Sequence, residues 1–288
     1  MVDNGSVAAS ASRVCEGYPG VEVIRLGRNA GFSRAVNLAA DRAAGQALVL
    51  LNDDCVCEPG FVEAITRALD PSRGVVMAAG VMRDPHDPEL IDTAGMELDR
   101  TLLVFDYLNG ERVTRLEDGV PDPIGPSGAA AAFDRATFVA AGGFDERLFA
   151  YWEDVDLVLR LVREGARCAL APDARGTHEH SATLGSGSAR KNYLMGFGRG
   201  YVLRKWGVLR SPRRAAAALV RDGVLCLGQA VLDRNVAGVR GRIRGFARAT
   251  KTEPFPDRAV ATRGPGPIAS LRRRAGRRAR LRGSSRAP

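Results

Sequence analysis

The sequence predicts an α/β fold, a sheet flanked by helices, followed by a basic helical appendage and a tail. Three observations carry that expectation. Ala47 to Leu51 (ALVLL) is a continuous apolar run of strand length that ends directly in Asn52-Asp53-Asp54, the pattern of a buried strand whose carboxyl end meets a ligand. Stretches with apolar residues at helical spacing, such as Phe32, Ala35, Val36, Ala39 and Ala43, alternate with strand-like runs, as a layered α/β protein requires. The charge also divides along the chain: of 42 Lys+Arg and 33 Asp+Glu, 25 and 4 respectively lie from Ser186 onward. The expected organisation is a globular part over 1–185, a basic amphipathic helical appendage over 186–250, and a disordered tail over 251–288.

Taken in order, Met1 to Ser6 (MVDNGS) reads as the end of a strand and a turn. Val21 to Leu26 alternates like a short strand. In Gly27 to Ala44 (GRNAGFSRAVNLAADRAA) a glycine-containing turn opens a helix that Gly45 stops. Such a turn can present backbone N–H groups to phosphate, or be an ordinary turn. ALVLL then reads as a buried parallel strand. The adjacent carboxylates after it repel each other, and a hard divalent cation such as Mg²⁺ or Mn²⁺ relieves that repulsion. Glu58-Pro59 starts a helix with Phe61, Ala64, Ile65 and Ala68 inward, and Gly74 to Met82 is a second buried strand. Residues 83–123 keep no steady period and read as loops that carry specificity, with His86 a surface turn residue. Gly125 to Phe133 is small-residue strand material before a helix capped by Asp134.

Gly142 to Arg160 reads GGFDERLFAYWEDVDLVLR. The glycine pair ends one helix. An acidic-aromatic loop then leads into Glu153-Asp154, after which Val155, Val158, Leu159 and Val162 recur at helical spacing until Gly165. Asp154 therefore sits at a helix N-terminus, where a carboxylate is favoured. It is a candidate general base for a hydroxyl; helix physics alone also allows both acids to be simple caps. Arg167 to Leu170 reads as a short strand and Pro172-Asp173 as a turn, ahead of Gly176-Thr-His-Glu-His180.

These segments together resemble family 2 glycosyltransferases, closest to the bacterial rhamnosyltransferase-like branch, and the motifs fall in that family's order through most of residues 1–185. The resemblance implies the GT-A fold, a Rossmann-like mixed sheet flanked by helices. It also implies inverting transfer of a sugar from a nucleotide diphosphate sugar (dTDP-rhamnose-like or a UDP-sugar) with a divalent metal, Mg or Mn. GGFDERLFAYWEDVDLVLR matches the family's GGFDE block and makes Asp154 the catalytic base. MVDNGS matches the family's VDNGS and gives Asp3 a contact to the nucleotide base. RNAGFSRAVN assigns Asn29, Gly31 and Asn37 to the nucleotide. LLNDDCVCEPGF matches the family's metal motif, with Asp54 as ligand and Asp53 on the donor. Gly128 corresponds to the glycine beside the donor sugar; close strand-on-helix packing explains a glycine there equally well. PDARGTHEHS makes His178 a metal ligand, whereas His180 stays solvated or touches phosphate. The family has a strand and helix before VDNGS, so the sheet is expected to lack its first strand and to be marginally stable.

Five scattered cysteines with no C-x-x-C suit reduced thiols in a cytoplasmic protein. Val224 to Leu232 is the longest apolar stretch of the basic part and too short to cross a bilayer. Arg and Lys cluster around Tyr193, Phe197, Tyr201 and Trp206. Residues 189–248 are accordingly expected either to dock peripherally on an anionic inner membrane face, near a glycan or lipid-linked acceptor of cell-wall or surface polysaccharide synthesis, or to be a solvated helical appendage. LRRRAGRRARLRG suits nonspecific nucleic-acid binding, but no base-reading element accompanies it. Two other classes fit the sequence: a catalytically impaired relative, and a basic-tail interaction protein with the globular part as scaffold.

Overall fold

The computed structural model describes residues 1–6, 15, 17–178, 187–250 and 252–257. The readings of His180 and of the Arg-rich end of the tail lie outside the described residues. Within them the strands run β1 (Val2–Asp3), β2 (Ile24–Arg25), β3 (Ala47–Leu51), β4 (Cys55–Cys57), β5 (Val75–Asp84), β6 (Asp87–Thr93), β7 (Met96–Leu98), β8 (Val104–Asp106), β9 (Ala130–Asp134) and β10 (Arg167–His178). The helices are α1 (Phe32–Arg42), α2 (Phe61–Arg67), α3 (Arg135–Ala140), α4 (Glu153–Arg163), α5 (Ala189–Lys205), α6 (Pro212–Leu232) and α7 (Ala237–Arg248).

The main sheet has the order β3-β9-β5-β10-β4, with β6 also on β5. It is mixed: β5 and β10 are parallel, and the other neighbours antiparallel. Period-two geometry sends alternate side chains to opposite faces. On β5 and β9, Met77, Ala79, Ala131 and Phe133 join the core under α1, α3 and α4, while Ala78, Met82, Ala130 and Ala132 pack with Phe61 and Ile65 of α2. Both faces are thus covered, and the ligand-facing ends of the strands stay open.

Several sequence expectations change in three dimensions. ALVLL is not a buried parallel strand: β3 pairs antiparallel with β9, ends the strand path, and buries only Leu48. β1 and β2 form a separate parallel pair. Residues 83–123 are not plain loops, because β6 pairs with β5, and β7 with β8 in a small antiparallel pair. Pro172-Asp173 does not end a strand. It lies in a register shift between Leu170 and Arg175 of one continuous β10, and a bulge absorbs residues the ladder does not pair.

Residues 187–250 share the core of the sheet part. Tyr201, Val202, Trp206 and Val208 join the same apolar cluster as Phe133 and Val155. Tyr201 and Trp206, read from sequence as membrane-facing aromatics, are fully buried, as is Arg199. α5 and α7 approach closely because glycines line their contact. A Cβ on Gly196 would strike Gly238, and one on Gly245 would strike Phe197. Residues 252–257, assigned by composition to the tail, lie against the body: Arg163 meets Glu253 at 2.8 Å, and Arg214 sits over the Phe255 ring at 3.7 Å. Helix α6 is longer than its apolar run suggests. It has 21 residues, and an 18-residue window within it reaches a mean hydropathy of 1.5, long and apolar enough to cross a membrane by length and composition.

Candidate active site

The topology gathers the polar strand ends around one cavity of about 540 Å³, an ordinary size for a small-molecule site. Antiparallel pairing of β10 with β4 sets His178 opposite Cys55, which carries the imidazole to the carboxylate that precedes β4. His178 Nε2 lies 3.1 Å from Asp54 Oδ1, and its Nδ1 lies 3.5 Å from Asp92 Oδ2. Asp92 is buried on β6. The ring is therefore flanked by carboxylates on both nitrogens, the arrangement that orients metal-binding histidines.

The donor set fits a hard divalent cation. In an octahedral site with ligand bonds of about 2.1 Å, neighbouring donor atoms stand about 3 Å apart, as the Asp54 and His178 atoms do. Ligand atoms of Asp54, Cys55 and His178 all lie within 4.8 Å of one another. Burial and the nearby Asp54 charge push the Cys55 thiol up to about 12, and its Sγ donates to Ala129 O at 3.4 Å. Cys55 is thus a protonated thiol packed beside the site, and oxygen and imidazole remain as the donors.

Asp154 faces the same cavity from the first turn of α4. Its Oδ2 accepts from the Gly128 N–H at 3.2 Å and its Oδ1 from the Val155 N–H at 2.8 Å, so backbone on two elements fixes the carboxylate. Burial nevertheless pushes its carboxyl above the ordinary range. Glu153 beside it is buried, its Oε2 has no hydrogen-bond partner among the described residues, and burial together with the Asp154 charge pushes it well up. The turn that delivers this pair is strained: Tyr151 and Trp152 have φ of 70° and 75°. Left-handed non-glycine residues cost on the order of 1–3 kcal/mol each and persist only where the surroundings hold them. Here Trp152 is buried with the Arg199 guanidinium 5.6 Å over its ring, and Lys191 lies 5.7 Å over that of Tyr151.

The loop before that turn is clamped to α1. Phe32 N–H donates to Phe149 O at 2.7 Å, and Ser33 Oγ donates to Leu148 O. Asn37 gives Nδ2 to Phe144 O at 2.9 Å and takes Phe144 N–H on Oδ1 at 2.8 Å.

Of the residues picked out from sequence, Asn29, Asp53, Asp54, Gly128, Asp154 and His178 line the cavity together, and Asp3, Gly31 and Asn37 do not. Both ends of the Asn37 amide are engaged by Phe144. Gly31 has φ of 97° and room for a Cβ denied by Phe149. Asp3 sits in a turn, its Oδ1 accepting from Ser6 N–H at 2.9 Å. That hydrogen bond holds its carboxyl below the usual range. The next residue, Asn4, lines the cavity instead; it bonds Asn29 Oδ1 at 3.2 Å and Ala30 N–H at 2.8 Å. Asp92 and Asp106 escaped the sequence reading because isolated polar residues carry no periodic signal, whereas Asn52 stands in the Asn52-Asp53-Asp54 run that the sequence singles out and lines the cavity with them. Arg190 and Lys191, also on the wall, were visible only as part of a basic stretch.

Residues 1–123 match the family described as Glycosyl transferase family 2. The chain is 30% identical over 212 residues to the N-acetylglucosaminyl-diphospho-decaprenol L-rhamnosyltransferase of Mycobacterium tuberculosis, covering 64% of this chain and 67% of that protein. It is 27% identical over 199 residues to the O-antigen biosynthesis protein RfbC of Myxococcus xanthus, covering 64% of this chain and 15% of that protein. Among solved structures, GalNAc-T7 with UDP, GalNAc and Mn²⁺ superposes with a TM-score of 0.53 at 17% identity, over 71% of this chain and 41% of that one. The present chain therefore spans less than half of that structure.

Proposed function

The chain belongs to glycosyltransferase family 2 and has the GT-A fold, and from that membership we propose that it moves a sugar from a nucleotide diphosphate sugar to an acceptor hydroxyl with inversion at the anomeric carbon. The observation that carries this reading is the Asp154 carboxylate, fixed by two backbone N–H groups across the cavity from the Asp54–His178 pair. Asp154 accepts the acceptor's hydroxyl proton as that oxygen bonds to the anomeric carbon. The bond from that carbon to the diphosphate breaks on the opposite face, and its electron pair leaves with the nucleotide diphosphate. Asp54 and His178, with Asp53 beside them, would hold a divalent cation, which when bound offsets charge on the diphosphate. Asp92 keeps the His178 ring in place, and Arg190 and Lys191 add positive charge to the same cavity. The similarity to the N-acetylglucosaminyl-diphospho-decaprenol L-rhamnosyltransferase of Mycobacterium tuberculosis supports a rhamnosyl donor and a lipid-linked diphosphate acceptor.

Asp154→Asn should lower transfer by about 10²–10⁴-fold, the usual worth of a general base, while calorimetry shows nucleotide diphosphate binding unchanged. Because burial raises the Asp154 pKa, the wild-type rate should climb with pH through a value above the ordinary aspartate range of about 3.9. Near-normal turnover in the Asn variant would remove Asp154 from the role.

A further inference from the structure

Helix α6 is inside out. Its buried side includes Asp222 and Gln229, whereas Leu219, Val220, Leu227 and Val231 on the other side are each about two-thirds exposed. The polar residues are engaged inward: Asp222 accepts from Arg199 Nε at 3.0 Å and from Arg242 Nε at 2.8 Å, and Gln229 donates to Asn192 Oδ1 at 3.3 Å. At 100° per residue the four exposed positions fall on one stripe of the helix. On α7 the exposed apolar residues Val239, Ile243 and Phe246 form a second stripe, and the interspersed Arg240, Arg244 and Arg248 are exposed too. The only acids between residues 187 and 250 are Asp222 and Asp233. Asp222 is buried, and Asp233 accepts from Asn192.

We propose that the outward faces of α6 and α7 form a docking surface for an anionic lipid bilayer, with both helices lying in the plane of the interface. Two features choose lipid over other occupants. A polarity reversed from that of a water-facing helix calls for an apolar medium outside, and arginines without exposed acids among them are complementary to anionic headgroups. A spanning α6 is disfavoured because Asp222 and Gln229 tie its inner side to α5 and α7, and crossing would carry those polar groups into hydrocarbon. The surface differs from the one the sequence suggested, since Tyr201 and Trp206 are core residues. Its connection to the cavity runs through α5, whose first turn supplies Arg190 and Lys191 to the wall and whose body packs on α7.

The test is flotation of the full chain with vesicles of phosphatidylglycerol or of phosphatidylcholine, at low and high salt. It needs no turnover, so a failure here is separable from a failure of the transferase reading. Binding to phosphatidylglycerol vesicles should exceed that to phosphatidylcholine by at least about tenfold and should weaken with salt as screening shortens the attraction. A variant carrying Leu219→Ser, Val220→Ser, Leu227→Ser and Val231→Ser should lose at least about tenfold in binding, because the buried apolar area is gone. Its melting temperature should be unchanged, since each site is exposed. A second variant, Arg240→Gln with Arg244→Gln, should bind phosphatidylglycerol vesicles more weakly than wild type and keep its fold. Equal binding of wild type and the serine variant would overturn the proposal. So would a lipid-independent dimer that the serine substitutions abolish, which would make a second copy of the chain the occupant. Retention on vesicles through carbonate and high salt would overturn the in-plane geometry in favour of a span.

Discussion

On one side the cavity is lined by Asn4 and Asn29, which follow the two-residue strands β1 and β2 and hydrogen-bond close to solvent, whereas its helical side is backed by charges with almost no exposure. That side rests on Asn4, which ties Asn29, Ala30 and Gly31 together, and on an exposed ion pair between Arg42 and Glu22 at 3.3 Å. Exposed pairs of that kind contribute little. Behind the helical wall, Asp156 is fully buried and accepts from Arg160, Lys205 and Trp206 at 2.9, 2.9 and 3.2 Å. Lys205 also reaches Asp145, which takes the Tyr201 hydroxyl at 2.8 Å. Burial pushes Asp145 up, but Arg147, Lys205 and Tyr201 together hold it below the ordinary range. The contrast teaches where the rigid reference of the site lies. Asp154 stands on α4 two residues before Asp156, so the proposed base is anchored to the charged core, and the Asn4 side of the cavity rests on weaker, more exposed contacts.

That contrast can be broken at either end, beginning with the larger effect. Lys205→Met leaves Asp145 and Asp156 short of a buried cation, and orphaning a buried charge costs about 3–5 kcal/mol. Because Arg160 stays on Asp156 and Arg147 on Asp145, the loss should fall at the lower end. Urea unfolding measures it, and an unchanged midpoint would mean that the helical wall does not depend on this cluster.

Asp92→Asn should leave the melting temperature nearly unchanged and weaken Mn²⁺ affinity about 10–100-fold, the usual cost of losing a carboxylate that orients a ligating histidine. Calorimetry with Mn²⁺ in the presence of a nucleotide diphosphate reads it without turnover. Full Mn²⁺ affinity in this variant would dissociate Asp92 from the His178 geometry.

The smallest stability change is expected at Asn4→Ala, about 1 kcal/mol for partly solvated hydrogen bonds. Nucleotide affinity should fall more than stability does, since Asn4 shapes the cavity wall and not the core. A loss as large as that of Lys205→Met would mean that the Asn4 wall is as rigid as the helical one.

Runs of side chains with a period were readable before any coordinates. The β5 strand, the α2 helix with Phe61 and Ile65 inward, and the Asp134 cap accepting Thr137 N–H at 2.8 Å all follow from local pattern. So does Asp154 in the first turn of its helix, because helix starts and capping acids are written within a few residues. Only tertiary structure decided the rest. The sequence puts Asn37 in a motif and leaves open whether its amide meets a ligand or Phe144, a residue more than one hundred positions away. It presents Arg199, Lys205, Tyr201 and Trp206 as a basic aromatic helix. Burial against Asp222, Asp145 and Asp156 turns that helix into core and leaves the apolar residues of α6 outside. Local pattern records which faces a segment has; the partners that cover each face are set by long-range packing, which no short window contains.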